Sequence, residues 1–304
     1  MSETYPVFLG LDADAPDYDR ADAVVLPLPF ERTVSYGKGT ALGPRALLAA
    51  SGYVELYDEE LRSEEHSGRV FTAEPCDPET DDLAAAMDAI RREARRHMEA
   101  GKFLVSLGGE HSLTYPLAQA AQEVFGDGPD GRGVGVVQFD AHADLRDTYE
   151  GTKFSHAAVM RRLVDDLSMP TLAIGIRSLS SPEAKLIDER GLPVIWSDEF
   201  HQDSTTGSLE RFAAHLDKLP QQIYLTFDLD FLDPSLLPGT GTPEPGGGTW
   251  HPTMAFLRHL FATKDVVAMD VVELAPESHS TVSDFVAAKL TYKALGYRLC
   301  TPRS

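Results

Sequence analysis

From residue 103 to its C-terminus the chain alternates short apolar runs with longer amphipathic stretches, and that alternation leaves few folds open. Phe103-Leu104-Val105-Ser106-Leu107, Val134–Phe139, Thr171–Ile176, Val194–Trp196, Ile223–Phe227 and Val266–Val272 read as strands, with helices expected at about 113–125, 156–166, 182–190, 208–218, 252–262 and 281–296. Strands separated by helices form βαβ units, hence a mostly parallel sheet covered on both faces. Upstream, residues 1–20 are acidic and irregular, and Ala23–Pro29 reads as the first core strand, ended by proline. The Gly43-Pro44 step should open a helix at 44–52, since proline suits the first helical turn. Residues 54–73 suit peripheral strands, and Leu83, Met87, Ile90 and Met98 share one face of a helix at 81–100, with His97 expected at its surface. No linker, composition shift or repeat divides the 304 residues, so residues 1–304 are read as one domain.

In open parallel sheets of this kind, ligands sit beyond the carboxyl ends of the strands. The segment Asp140-Ala141-His142-Ala143-Asp144 follows the strand at 134–139. In extended chain, residues at i, i+2 and i+4 point the same way, so its two carboxylates and imidazole converge. His111 follows the strand at 103–107, Asp228 and Asp230 follow that at 223–227, and Glu273 follows that at 266–272. Four strand ends thus deliver two histidines and five carboxylates to one edge.

Six of these side chains are potential metal ligands: His111, Asp140, His142, Asp144, Asp228 and Asp230. That is more than one tetrahedral zinc ion needs, and two divalent ions sharing carboxylates fit better. Imidazole and carboxylate donors without thiolates point toward manganese while leaving zinc, nickel and iron open. Such a centre lowers the pKa of bound water from ~15.7 toward about 7, so the chemistry implied is hydrolysis. Glu273, left free of metal, has two readings: a two-pronged partner for a planar guanidinium, or a surface or capping carboxylate. His156, at an expected helix start, either carries protons to the site or is structural. The loop 35–44 is either a rim to the site or a plain connection.

Charge and cysteine usage narrow the function further. A formal net charge of -21 repels phosphate backbones and argues against nucleic acid, while favouring small cations and metal ions. The two cysteines, Cys76 and Cys300, form no CxxC pair and give no disulfide framework. Met1-Ser2-Glu3-Thr4 lacks a basic and apolar leader, and no apolar run approaches the ~20 residues of a membrane span, so a cytoplasmic enzyme with no membrane partner is expected. The glycines of 239–248 are followed by no G-K-[ST], which favours a rim or packing turn over a phosphate loop.

Gly108-Gly109-Glu110-His111-Ser112, Asp140-Ala141-His142-Ala143-Asp144, Ser155-His156-Ala157, Phe227-Asp228-Leu229-Asp230 with Asp233-Pro234, and Pro238–Gly247 together resemble the ureohydrolase (arginase/agmatinase) family. The resemblance runs from about residue 24 to the last helix. It implies a three-layer α/β/α fold, two Mn2+ per subunit and a trimeric or hexameric homo-oligomer. It implies that His111, Asp140, Asp144 and Asp228 hold one ion, and Asp140, His142, Asp228 and Asp230 the other, with Asp140 and Asp228 bridging. It makes His156 the proton shuttle and Glu273 the guanidinium carboxylate, with Asp144 taking the proton released by the nucleophile. Ala157 departs from the glycine many members carry after the shuttle histidine. Arginases clamp the α-amino acid with an asparagine after D-x-H-x-D and acids after a following G-x-R; here Leu145-Arg146 and Ser178-Leu179-Ser180 stand there. The pattern is similar to agmatinases, which convert agmatine, a small cationic guanidine, to putrescine and urea, and Asp147 and Glu150 are expected at an acidic mouth for its ammonium tail. Guanidinobutyrase, arginase, formiminoglutamase and a non-catalytic metal-binding homologue remain as alternatives.

Overall fold

A computed structural model describes residues 5–11, 15–128, 130–202 and 205–300. Met1–Thr4 and part of the irregular acidic stretch lie outside the described residues. Eight parallel strands form one sheet: β1 (Ala23–Leu28), β2 (Val70–Thr72), β3 (Phe103–Gly108), β4 (Val134–Phe139), β5 (Thr171–Ile176), β6 (Val194–Trp196), β7 (Gln222–Asp228) and β8 (Asp265–Val272), in the order β2-β1-β3-β8-β7-β4-β5-β6. The helices are α1 (Gly43–Ser51), α2 (Leu83–Glu99), α3 (Thr114–Phe125), α4 (Val159–Asp165), α5 (Ser181–Arg190), α6 (Ser197–Gln202), α7 (Thr205–Leu216), α8 (Trp250–Thr263) and α9 (Val282–Cys300).

The strands are apolar nearly throughout because both faces of the sheet are covered. Successive residues alternate between two cores: Ala23 and Val25 pack with α1, α7, α8 and α9, while Val24 and Leu26 pack with α2, α3, α4 and α5. The architecture is therefore the expected three layers, helices, sheet and helices.

β1 stops at Leu28, directly before Pro29, and Pro27 lies within it. Its carbonyl accepts from the Cys76 amide, on the side where β2 has already ended, so no ladder donor is lost there. In the peripheral 54–73 stretch only Val70–Thr72 forms a ladder strand. His97 is not at the surface. It is buried, with Nδ1 3.0 Å from the Tyr18 hydroxyl and Nε2 3.3 Å from Glu93. Helical periodicity put its position near the polar face, but the N-terminal segment carrying Tyr18 covers it.

Candidate active site

The four strands whose ends carry the predicted residues, β3, β8, β7 and β4, are consecutive neighbours at the middle of the sheet. Their loops therefore converge on one cavity of about 250 Å³ whose wall includes His111, His142, Asp144, His156, Asp228, Asp230 and Glu273. Asp140 lies fully buried beneath it. The His111 ring nitrogen Nδ1 sits 3.1 Å from Asp140 Oδ2, 3.0 Å from Asp144 Oδ2 and 3.2 Å from Asp228 Oδ2. His142 Nδ1 lies 2.9 Å from Asp230 Oδ2 and 3.7 Å from Asp140 Oδ1.

Two groups of potential metal ligands result, His111–Asp140–Asp228 and Asp140–His142–Asp230, sharing Asp140. Spacings of about 3 Å between donor atoms are those of neighbouring ligands around a divalent ion with bonds of ~2.1 Å. His111 Nδ1 is buried and makes no hydrogen bond, although carboxylate oxygens surround it. Carboxylates gathered around an imidazole nitrogen hold a positive charge between them, a proton or a metal ion, so this donor set fits two divalent metals.

The electrostatics agree. Burial, then the charges of Asp230 and Asp144, push Asp140 up to about 7. Burial and the charges of Asp230 and Asp140 push Asp228 well above the usual carboxylate range. Burial would lower both imidazoles, but the surrounding carboxylates prevail: His111 is raised well above its usual value and His142 to about 11. Burial also pushes Glu273 up to about 8, although its Oε1 accepts the His111 backbone N–H at 2.6 Å. Asp144 and Glu273 have φ of 52° and 66°, in the left-handed region. A non-glycine residue there costs about 1–2 kcal/mol, so the fold spends stability to aim these two carboxylates.

Several residues that hold the site were not legible as site residues. His111 Nε2 lies 2.9 Å from the Thr226 hydroxyl, which donates to Asp270 Oδ1 at 2.7 Å. The Asp270 carboxylate is fully buried and also accepts from Thr114 at 2.8 Å and Tyr224 at 2.6 Å. With Nε2–H held this way, Nδ1 keeps its lone pair for the cavity. Gln138 donates to Asp140 Oδ2 at 2.8 Å. Gln138, Thr226 and Asp270 share one sequence signal, a polar residue inside an otherwise apolar strand.

The loop 34–37 does reach the cavity and supplies Val34, Ser35, Tyr36 and Gly37 to its wall. Its Gly37 N–H donates to Gly241 O at 3.2 Å, and a Cβ on Gly37 would stand 2.5 Å from that oxygen. Tyr36 is left 81% exposed at the mouth. The two acids expected at the mouth are not brought there. Asp147 is exposed and accepts from Arg162 at 2.6 Å, and neither it nor Glu150 is part of the cavity wall. The Leu145 N–H donates to Glu183 at 2.9 Å. The wall there is formed by Arg146, Tyr149, Ser178, Leu179, Ser180 and Glu183.

A parallel sheet whose central strand ends carry two groups of potential metal ligands sharing one carboxylate is the frame of a metal-dependent hydrolase. Residues 21–296 match the model of the Arginase family. The chain is 42% identical over 289 residues to an N(1)-aminopropylagmatine ureohydrolase of Synechocystis sp., covering 92% of this chain and 90% of that one. It is 30% identical to an agmatinase of Pyrococcus horikoshii, covering 95% and 97%. The crystal structure of an agmatine ureohydrolase of Thermoplasma volcanium superposes with a TM-score of 0.81 at 29% identity, covering 95% of this chain and 94% of that one. The chain belongs to the Arginase family, hydrolases that depend on a binuclear metal centre.

Proposed function

We propose that this protein hydrolyses an agmatine-type guanidine, N1-aminopropylagmatine in preference to agmatine, releasing urea and a polyamine. The observation that carries the reading is the placing of Glu273, a buried carboxylate, in the same wall as His111, His142, Asp228, Asp230 and His156. The names of the relatives, above all the one at 42% identity, support the longer substrate. Residues 1–304 act as one catalytic domain. His111, Asp140, Asp144 and Asp228 would hold one metal, and Asp140, His142, Asp228 and Asp230 the other.

Mn2+ is the metal proposed, from the oxygen-rich donor set. When bound, the pair supplies the charge that ionises water at neutral pH and stabilises charge developing on the substrate. Glu273 pairs with the guanidinium and fixes the plane in which its carbon is attacked. Water oxygen bonds to that carbon, Asp144 takes the proton, the carbon–nitrogen bond to the tail breaks, and His156 delivers a proton to the leaving amine. Urea and the free amine balance the reaction.

A second reading rests on Arg146, which lines the cavity with its guanidinium 5.0 Å from the Tyr149 ring centre. A cation there favours a carboxylate-bearing tail such as guanidinobutyrate. Urea release by manganese-loaded protein from N1-aminopropylagmatine, agmatine, 4-guanidinobutyrate and arginine decides between them. The highest kcat/KM is expected for N1-aminopropylagmatine; a preference for guanidinobutyrate would hand the tail to Arg146, and no urea from any of the four would refute the enzyme. The reading includes a cytoplasmic trimer or hexamer, which light scattering tests for size; among the described residues no helix is long and apolar enough to cross a membrane.

A further inference from the structure

The loop entering the cavity is tied to the rest of the site by one buried carboxylate, Glu110, fully shielded from solvent. Its Oε2 accepts the backbone N–H groups of Arg32 at 2.7 Å and Thr33 at 2.6 Å. Its Oε1 accepts the hydroxyls of Thr33 at 2.8 Å and Ser112 at 2.5 Å. Thr33 therefore has a fixed rotamer and a fixed proton. A hydroxyl carries one hydrogen, and here the carboxylate takes it. The lone pairs of Thr33 Oγ1 are left for the neighbouring chain, and His156 stands there. The His156 backbone N–H donates to Oγ1 at 3.2 Å, and its ring Nδ1 lies 3.3 Å from the same oxygen.

With its own proton committed, Oγ1 meets Nδ1 as an acceptor, so Nδ1 is the nitrogen that carries hydrogen. In a neutral imidazole the lone pair is then on Nε2. The ring is also packed edge to face against Tyr149, with centroids 5.7 Å apart. We propose that Thr33 is a positioning residue: anchored by Glu110, it orients the His156 ring and assigns its tautomer, leaving Nε2 as the nitrogen that exchanges protons in the cavity. Ser155 Oγ, 3.4 Å from Nδ1, is the other polar atom near that nitrogen, and it is the longer contact.

This inference rests on the proposed urea-releasing activity and on His156 acting in it, so the parent protein is assayed first. Thr33→Val keeps the shape of the side chain and removes the hydroxyl, while Thr33→Ser keeps the hydroxyl. The expected result is a kcat roughly tenfold lower for Thr33→Val, as for loss of part of a general acid–base contribution, with KM and bound manganese unchanged. Thr33→Ser should restore most of kcat, and Ser155→Ala should cost less than Thr33→Val. A Thr33→Val protein that turns over like the parent, that loses through KM instead, or that is less impaired than Ser155→Ala overturns the assignment. Failure of Thr33→Ser to recover turnover in folded, metal-loaded protein overturns it too. An active parent with those outcomes sinks the Thr33 role alone; a parent releasing no urea sinks the functional reading beneath it.

Discussion

Two clusters of buried charge in the protein are built on opposite rules. Under α9, Lys293 is 2% exposed and lies 3.0 Å from Asp58 Oδ2 and 2.9 Å from Glu60 Oε2, while the Tyr297 hydroxyl donates to Glu60 at 2.6 Å. Burial there opposes ionisation, but the hydrogen bonds and opposite charges win: both carboxylates fall below their usual range and Lys293 rises above its own. At the strand ends burial and mutual repulsion win instead, and Asp140, Asp228 and Glu273 are all raised. Asp230 alone is lowered against its burial, by His142. Matched charges make a structural cluster, whereas clustered carboxylates that raise one another are arranged for cations from solution.

The contrast can be broken by experiment. Asp140→Asn should remove both metals and lower kcat/KM by about 10³-fold or more, read by urea release and metal analysis. In metal-free protein the same change should leave stability unchanged or raise it, because it removes a repelling charge. Lys293→Met should do the reverse, costing about 3–5 kcal/mol in denaturant unfolding by stranding buried carboxylates, with metal content per folded chain intact. If Asp140→Asn destabilised the metal-free protein as much as Lys293→Met, the distinction would be wrong.

Adding manganese at 100 times its dissociation constant should stabilise the parent by about 3 kcal/mol and Asp140→Asn hardly at all, measured as a rise in Tm. Metal must displace the proton on Asp140, whose pKa is raised to about 7, so affinity should strengthen as pH rises through neutrality. The Lys293 cluster has the opposite sensitivity: with Asp58 and Glu60 depressed, its contribution is full at neutral pH and is lost as pH falls below their usual range near 4. Asp270→Asn or Thr226→Val should weaken metal binding by roughly 10–100-fold through a misdirected His111 ring, seen in metal titrations. The smallest effect belongs to Asp147→Ala, expected to change KM for a cationic guanidine by less than about twofold, since its carboxylate is exposed and turned to Arg162.

The sequence made the site legible because its signal is local. The i, i+2, i+4 spacing at Asp140–Asp144 and the pair Asp228–Asp230 depend only on which way an extended chain points, and a strand end fixes the edge. Lateral order is not local. Nothing in the spacing of Thr226 and Asp270 says that β7 and β8 pair so that these two residues face each other, as they do in register. The network that holds His111 was therefore invisible, as was the placing of Thr33 beside His156 across 123 residues. The mouth was misjudged for the same reason. Asp147 and Glu150 are close to the ligands along the chain, but their neighbours Arg146 and Tyr149 form the wall while Asp147 turns to Arg162. His97 shows that a helix's polar face can be covered by a distant segment.

The position of β8 has a further consequence, for the order of assembly. It is the last strand made, yet it lies between β3 and β7. Until it inserts, the part of the sheet ending in β3 and the part beginning with β7 share no strand pairing. The pairing that sets His111 beside the aspartates therefore needs residues as late as 265–272. Pairing over such sequence separation is slow. A chain truncated before residue 265 would hold the aspartates of both motifs and His111 yet lack the strand that brings them together.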